Sequence, residues 1–178
     1  MTTPVLRPTF FSFLARGVAS LTVAIGLLGG PVLAVMPPYY EALAAQERIT
    51  AAAKGRLEST DVLKLAVVDA KRKSSTGNNC PTAEAWEVRG QVMQPLKGRK
   101  AAGEKLVLRY SRNVWACPGP VREELPALRS GETIEAYLLC ERSICRPAAG
   151  ALSFTAQAAF EEQTKRREDD VRRLGPKP

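Results

Sequence analysis

Residues 83–98, AEAWEVRGQVMQPLKG, decide how the chain folds. Trp86, Val88, Gly90 and Val92 fall at every second position, against Glu87, Arg89 and Gln91. A period of two belongs to an extended strand, whose side chains point alternately to opposite faces. One face therefore goes to a core and the other to water. Gly90, on the apolar face, has no side chain where a strongly curved sheet bends or admits a neighbour. Pro95 then ends the run, because it has no N–H for a ladder.

The same signals recur on both sides of this strand. VLKLAVVDAKRK, 62–73, is aliphatic and β-branched and runs into the polar turn SSTGNN. In GEKLVLRYS, 103–111, Leu106, Leu108 and Tyr110 alternate with Lys105, Val107 and Arg109. In TIEAYLLC, 133–140, Ile134, Ala136, Leu138 and Cys140 alternate with Glu135, Tyr137 and Leu139, so both faces carry apolar groups. ALSFTAQAA, 151–159, reads as a fifth strand. Between the third and fourth lies an irregular crossover, 112–131, with Pro118, Pro120 and Pro126 and one expected helical turn over VREELPAL, 121–128. Five short strands with one long excursion predict a mainly β domain over 61–158. The expected architecture is a five-stranded OB-type Greek-key barrel, since a sandwich usually needs seven strands or more.

Both flanks are helical in pattern. Residues 160–178, FEEQTKRREDDVRRLGPKP, place acids four residues before bases at Glu161–Lys165, Glu162–Arg166, Glu168–Arg172 and Asp169–Arg173. Such pairs support an exposed helix, here ending near Leu174 before Gly175-Pro176, with the charged helix and tail occupying 159–178. Residues 39–59 are rich in alanine and interrupted by Gly55, so 35–60 reads as a helical or flexible leader with at most a short N-terminal helix.

Residues 1–34 contain Arg7 and Arg16, no acid, and an apolar run from Gly17 to Gly30. They read as a signal peptide cleaved between Ala34 and Val35. The run is too short for the ~20 residues of a stable bilayer span, so contact with a membrane is expected only if the segment stays uncleaved. Export places the mature chain in the periplasm or outside the cell. Loss of the two arginines lowers the formal charge from +8 to +6, which leaves a basic domain.

Four cysteines, Cys80, Cys117, Cys140 and Cys145, form an even set suited to two disulfides in an oxidising compartment. Three pairings are possible, and spacing does not choose among them. We take Cys80 with Cys117 and Cys140 with Cys145 as the working expectation, closing loops that stabilise by ~4 and ~2 kcal/mol in the chain-entropy model. No metal is expected, because zinc would need paired ligands and only one close cysteine pair exists, without histidine.

The run VRGQVMQPLKG, AGEKLVLRYS, CPGP and LRSGETIEAYLLC resembles the bacterial netrin-like, or TIMP-like, OB-fold modules over residues 61–158. The resemblance implies the barrel fold. It also implies an alternative function, inhibition or regulation of an extracellular hydrolase. In animal TIMPs a mature N-terminal cysteine binds the protease zinc; here the expected start is Val35, so that mechanism does not carry over.

The inventory argues against an enzyme. Histidine is absent, and there is no G-x-S-x-G elbow, phosphate loop or redox C-x-x-C. No cofactor is expected. The remaining class is a binding module, with Trp115, Arg112 and Tyr137 as candidate binding residues and a protein or an anionic cell-surface polymer as partner. Single-stranded nucleic acid would need aromatics stacked along a basic groove. Aromatics make up only 6% of the chain, Trp86 and Tyr110 point inward, and export removes that ligand. The unreduced mass of the secreted protein is expected to match Val35–Pro178 with no free thiol; a retained leader or titratable thiols would overturn these readings.

Overall fold

The structure, a computed structural model, describes residues 37–77, 80–117 and 124–175. The expected signal segment and its expected cleavage point at Ala34 and Val35 lie outside the described residues. The elements are α1 (Pro38–Glu58), β1 (Asp61–Thr76), β2 (Thr82–Lys97), β3 (Lys105–Val114), β4 (Thr133–Glu141), β5 (Ile144–Pro147), a 3-10 turn (Gly150–Phe154) and α2 (Gln157–Leu174). The strands close into a barrel in the order β1-β2-β3-β5-β4. The expected mainly β, five-stranded OB-type barrel with a C-terminal helix is therefore the fold observed, and α1 supplies the N-terminal helix.

The alternation read from β2 sets the interior. Val88, Gly90 and Val92 are buried, and Leu63, Leu65, Val67, Leu106, Leu108, Ala136 and Leu138 meet them from the other strands. Burying each large aliphatic side chain contributes ~1.5–3 kcal/mol. β1 pairs with β2 along its length through four register shifts, and its first half also pairs with β4, from Asp61–Leu138 to Ala66–Thr133. Bulges of this kind bend a strand and increase its twist, which lets one strand belong to both sides of a closed sheet. Gly90 serves the same closure. A Cβ there would lie 2.7 Å from Leu65 Cγ, so the glycine leaves room for that side chain.

The fifth strand is not ALSFTAQAA. Closure is made by Ile144–Pro147, which joins β4 through a tight turn at Arg142-Ser143 and runs parallel to β3 at Val107–Ile144 and Leu108–Cys145. Residues 150–154 instead form the 3-10 turn, in which Ser153 Oγ accepts from the Ala149 N–H and donates to the Gly150 carbonyl. Leu152 packs with Ile49, Ala52, Ala149 and Phe160, and residues 157–159 already belong to α2. A short apolar run fits a strand or a buried turn equally, and packing chose the turn. The described part of VREELPAL, residues 124–128, is not helical. Among the four expected helix pairs, Glu162–Arg166 forms, while Asp169 and Asp170 pair at i,i+3 with Arg172 and Arg173.

Both cysteine pairs take the expected partners: Cys80 with Cys117, Cα atoms 5.7 Å apart, and Cys140 with Cys145, 4.1 Å apart. The first ties the β1–β2 loop to the crossover after β3. The second joins residues directly opposite on β4 and β5.

α1 packs against α2 and the 3-10 turn rather than fraying as a leader. Its glycine lies close against the chain just before the 3-10 turn, since a Cβ on Gly55 would lie 2.2 Å from the Ala148 carbonyl oxygen. The next residue, Arg56, is only 5% exposed. Its Nη1 donates to the carbonyls of Leu152 and Thr155, both at 2.9 Å, and its Nη2 to Gln157 Oε1 at 3.1 Å. The guanidinium lies between the rings of Tyr137 (3.5 Å) and Phe160 (4.3 Å), an arrangement worth ~1–2 kcal/mol when desolvated. Burial lowers the Arg56 pKa, and the neighbouring Tyr137 and Glu135 act in the opposite direction. Arg56→Ala is expected to lower the unfolding free energy by ~3 kcal/mol, because it orphans buried carbonyls and empties the space between the rings. Arg56→Lys should recover only part of this, since an ammonium lacks the planar fork. Urea unfolding checks both, and an unchanged midpoint for the alanine variant would remove Arg56 from this role.

Candidate functional site

The three residues expected to bind do not form one site. Tyr137 faces Val62 at the start of β1, whereas Arg112 faces Glu84, whose partner is Ser75 near the end of β1. Tyr137 is 7% exposed beneath Arg56, and its hydroxyl reaches Glu135 Oε1 at 2.8 Å and Gln157 Oε1 at 2.9 Å. Burial and the hydrogen bond to Glu135 raise its pKa. It is a packing residue, placed where the helices cover the outer face of β4. That cover also explains why both faces of this strand are apolar. Trp115 is 37% exposed, and its Nε1 donates to Glu124 Oε1 at 3.4 Å while Glu124 Oε2 accepts from the Asn113 N–H. Glu124 thus pins the start of the crossover to the end of β3.

Arg112 takes part in a charged cluster inside the open end of the barrel. The inward positions of β2 continue from Val88 through Trp86 to Glu84, and those of β3 from Leu108 through Tyr110 to Arg112. Glu84 Oε1 accepts from Arg72 Nη1 at 2.8 Å, and Oε2 from Trp86 Nε1 at 3.0 Å. Arg112 Nε approaches Oε2 at 3.6 Å. The hydrogen bonds from Arg72 and Trp86 hold the Glu84 carboxyl below its usual range. Trp86 stacks on Tyr110, with ring centroids 6.5 Å apart, and the Tyr110 hydroxyl donates to the Pro126 carbonyl and accepts from the Leu128 N–H. The cluster therefore anchors the returning crossover over the barrel end.

The outer face carries a different arrangement. Arg109 faces Glu87 across the β2–β3 ladder, with Nε 3.1 Å from Oε2. Since Leu108 is opposite Cys145, the next residues along the two parallel strands, Arg109 and Arg146, lie side by side. Arg142 stands at the tight turn with φ 55°, in the left-handed region that costs a residue with a Cβ ~1 kcal/mol or more. Its carbonyl accepts from Lys100 Nζ. Arg109, Arg142 and Arg146 line a cleft of about 620 Å³ together with Leu139, Glu141 and Ile144. Ile144 is 45% exposed, so the cleft joins an aliphatic surface to a group of cations. Arg142 and Arg146 have no ion pair among the described residues. The outward position of Arg109 is visible in the alternation of β3, but Arg142 and Arg146 come beside it only through β5, the strand misplaced from sequence.

Protein-family models, curated proteins and solved structures were all compared with the chain, and none matches.

The Glu84 cluster makes stability depend on acid. A carboxyl with a lowered folded pKa contributes stability that is fully present above its unfolded pKa and lost as pH falls through the folded value. The stability difference between wild type and Glu84→Gln is expected to be constant above about pH 5 and to narrow below about pH 4. Urea unfolding across that range measures it; parallel profiles for the two proteins would show that Glu84 titrates the same way in both states.

Proposed function

We propose that the protein is an exported, non-enzymatic binding module of the OB type, acting in the periplasm or outside the cell, that holds an anionic cell-surface polymer on its outer face. The arginine cleft is the observation that carries this reading. Among the described residues Arg142 and Arg146 make no ion pair, and they stand with Arg109 and one acid, Glu141, around a cleft on a barrel whose interior is filled by leucine and valine side chains. Arginine presents a planar fork of donors that fits carboxylates and phosphates. Ile144 and Leu139 between the cations suit the aliphatic faces of a sugar or acyl backbone.

Several features support this assignment together. The even cysteine set, paired across loops, suits an oxidising compartment. The short-motif resemblance to netrin-like modules agrees with a non-catalytic role. The lack of histidine removes the commonest general base.

The test is binding of the secreted protein to polygalacturonate and to polyphosphate by calorimetry at several salt concentrations. Arg142→Ala/Arg146→Ala is expected to weaken binding roughly tenfold or more and to reduce its salt dependence. Arg166→Ala/Arg172→Ala on α2, with the same change in net charge, should weaken it less than about twofold. Equal loss in both variants would mean that net charge alone binds polyanions. Stoichiometric inhibition of a secreted hydrolase, unaffected by the cleft variant, would favour the regulator function instead.

A further inference from the structure

Apart from the cleft, the described residues of the closed barrel leave a long strand edge without a second partner strand. β4 pairs with β1 only from Asp61 to Ala66, and two bonds, Val67 N–H to the Glu132 carbonyl and Gly131 N–H to the Val67 carbonyl, extend that cover by one residue. From Asp69 to Thr76, β1 pairs with β2 on one side. Among the described residues nothing bonds to its backbone on the other. The β1–β2 arm thus projects past β4 with open N–H and C=O groups. Such an edge is a template on which another extended chain can add a strand.

The side chains along this edge decide what can pair with it. Lys71, Arg72 and Lys73 are consecutive and exposed, with Asp69 the only acid between Asp69 and Thr76. Asp69 ion-pairs with Lys71 at 2.9 Å, and Arg72 turns inward to Glu84. Lys73 is the extra residue of the bulge between Arg72 and Ser74, and it borders a shallow depression of about 300 Å³ that Ala85, Ser111, Glu87 and Arg109 also line. A second copy of the chain, pairing antiparallel about Arg72, would set Lys71 against Lys73 and Arg72 against Arg72. Like charges directly opposite destabilise a ladder, so self-pairing in that register is disfavoured. The same charges favour a strand with acids at alternate positions, which would face Lys71 and Lys73 on the outer side. The two bulges leave regular stretches at Asp69–Arg72 and Ser74–Thr76, so the added strand is short.

We propose that the β1 edge from Asp69 to Thr76 docks an extended acidic segment of a partner protein by strand addition. This interface is the strand edge rather than the arginine cleft, although the depression beside Lys73 also reaches Arg109, and it does not depend on the cleft's ligand.

The probe is a peptide of about eight residues alternating glutamate and threonine, added to the isotope-labelled secreted protein. Amide exchange by NMR should slow roughly tenfold or more at edge-directed positions between Asp69 and Thr76. The same peptide with alternate backbone nitrogens methylated should lose binding, because methylation removes ladder donors and leaves the charge unchanged. Lys71→Glu/Lys73→Glu, which alters exposed side chains only, should lose the acidic peptide and gain one alternating lysine and threonine. Retained binding of the methylated peptide, protection centred on Arg142 and Arg146, or dimerisation through the edge would each overturn the proposal.

Discussion

The packing of Leu65 over Gly90 is the contact on which the barrel depends. β1 must lie beside β2 and β4 at once, and it can do so only if it bends sharply while its side chains still reach the interior. The register shifts supply the bend, and the missing Cβ of Gly90 supplies the room. Once Leu65 is seated, the period of two carries the consequence along each strand. Leu63, Val88, Leu106, Leu108 and Leu138 fall inside, and Arg109 falls outside. A slip of one residue would exchange those faces, burying charges at a cost of several kcal/mol each.

The two helices form a second, smaller core that is joined to the barrel by a charge. Ile49, Ala52, Leu152 and Phe160 give it little apolar area. Arg56 adds hydrogen bonds to carbonyls at the end of the 3-10 turn and ring contacts to Tyr137 and Phe160, so one side chain connects α1, the turn, α2 and β4. The same packing has a functional consequence. It covers the outer face of β4 around Tyr137 and leaves the outer side of β2, β3 and β5, with its arginines, facing solvent.

Legibility in the sequence followed the length and regularity of each signal. The alternation of β2 and β3 gave their inward residues directly, and carried two places back from Trp86 it also reaches Glu84, a charge that a hydrophobic pattern passes over. β5 was not legible, because Ile144–Pro147 has only four residues and shows no period before it is paired. Arg142 and Arg146 were lost with it. That Tyr137 is buried was not legible either, because its exposure depends on Arg56 of α1, 81 residues before it, and on Gln157 of α2, 20 residues after it. Arg56 looks in the sequence like any other cation in an alanine-rich helix.

By itself the sequence determined which residues of each long strand could face a core, where the chain must turn, and that four cysteines were available to tie its loops. Those properties are local, set by side-chain period, backbone freedom at glycine and proline, and count. Tertiary structure alone decided which short segment closes the barrel, which cations find ion-pair partners among the described residues, and which strand edge those residues leave open. Each of these depends on a neighbour distant in sequence: Arg72 meets Glu84, Leu108 lies opposite Cys145, and β4 ends where β1 goes on paired with β2 only. Charge becomes a binding surface only after the fold has settled which partners come within reach.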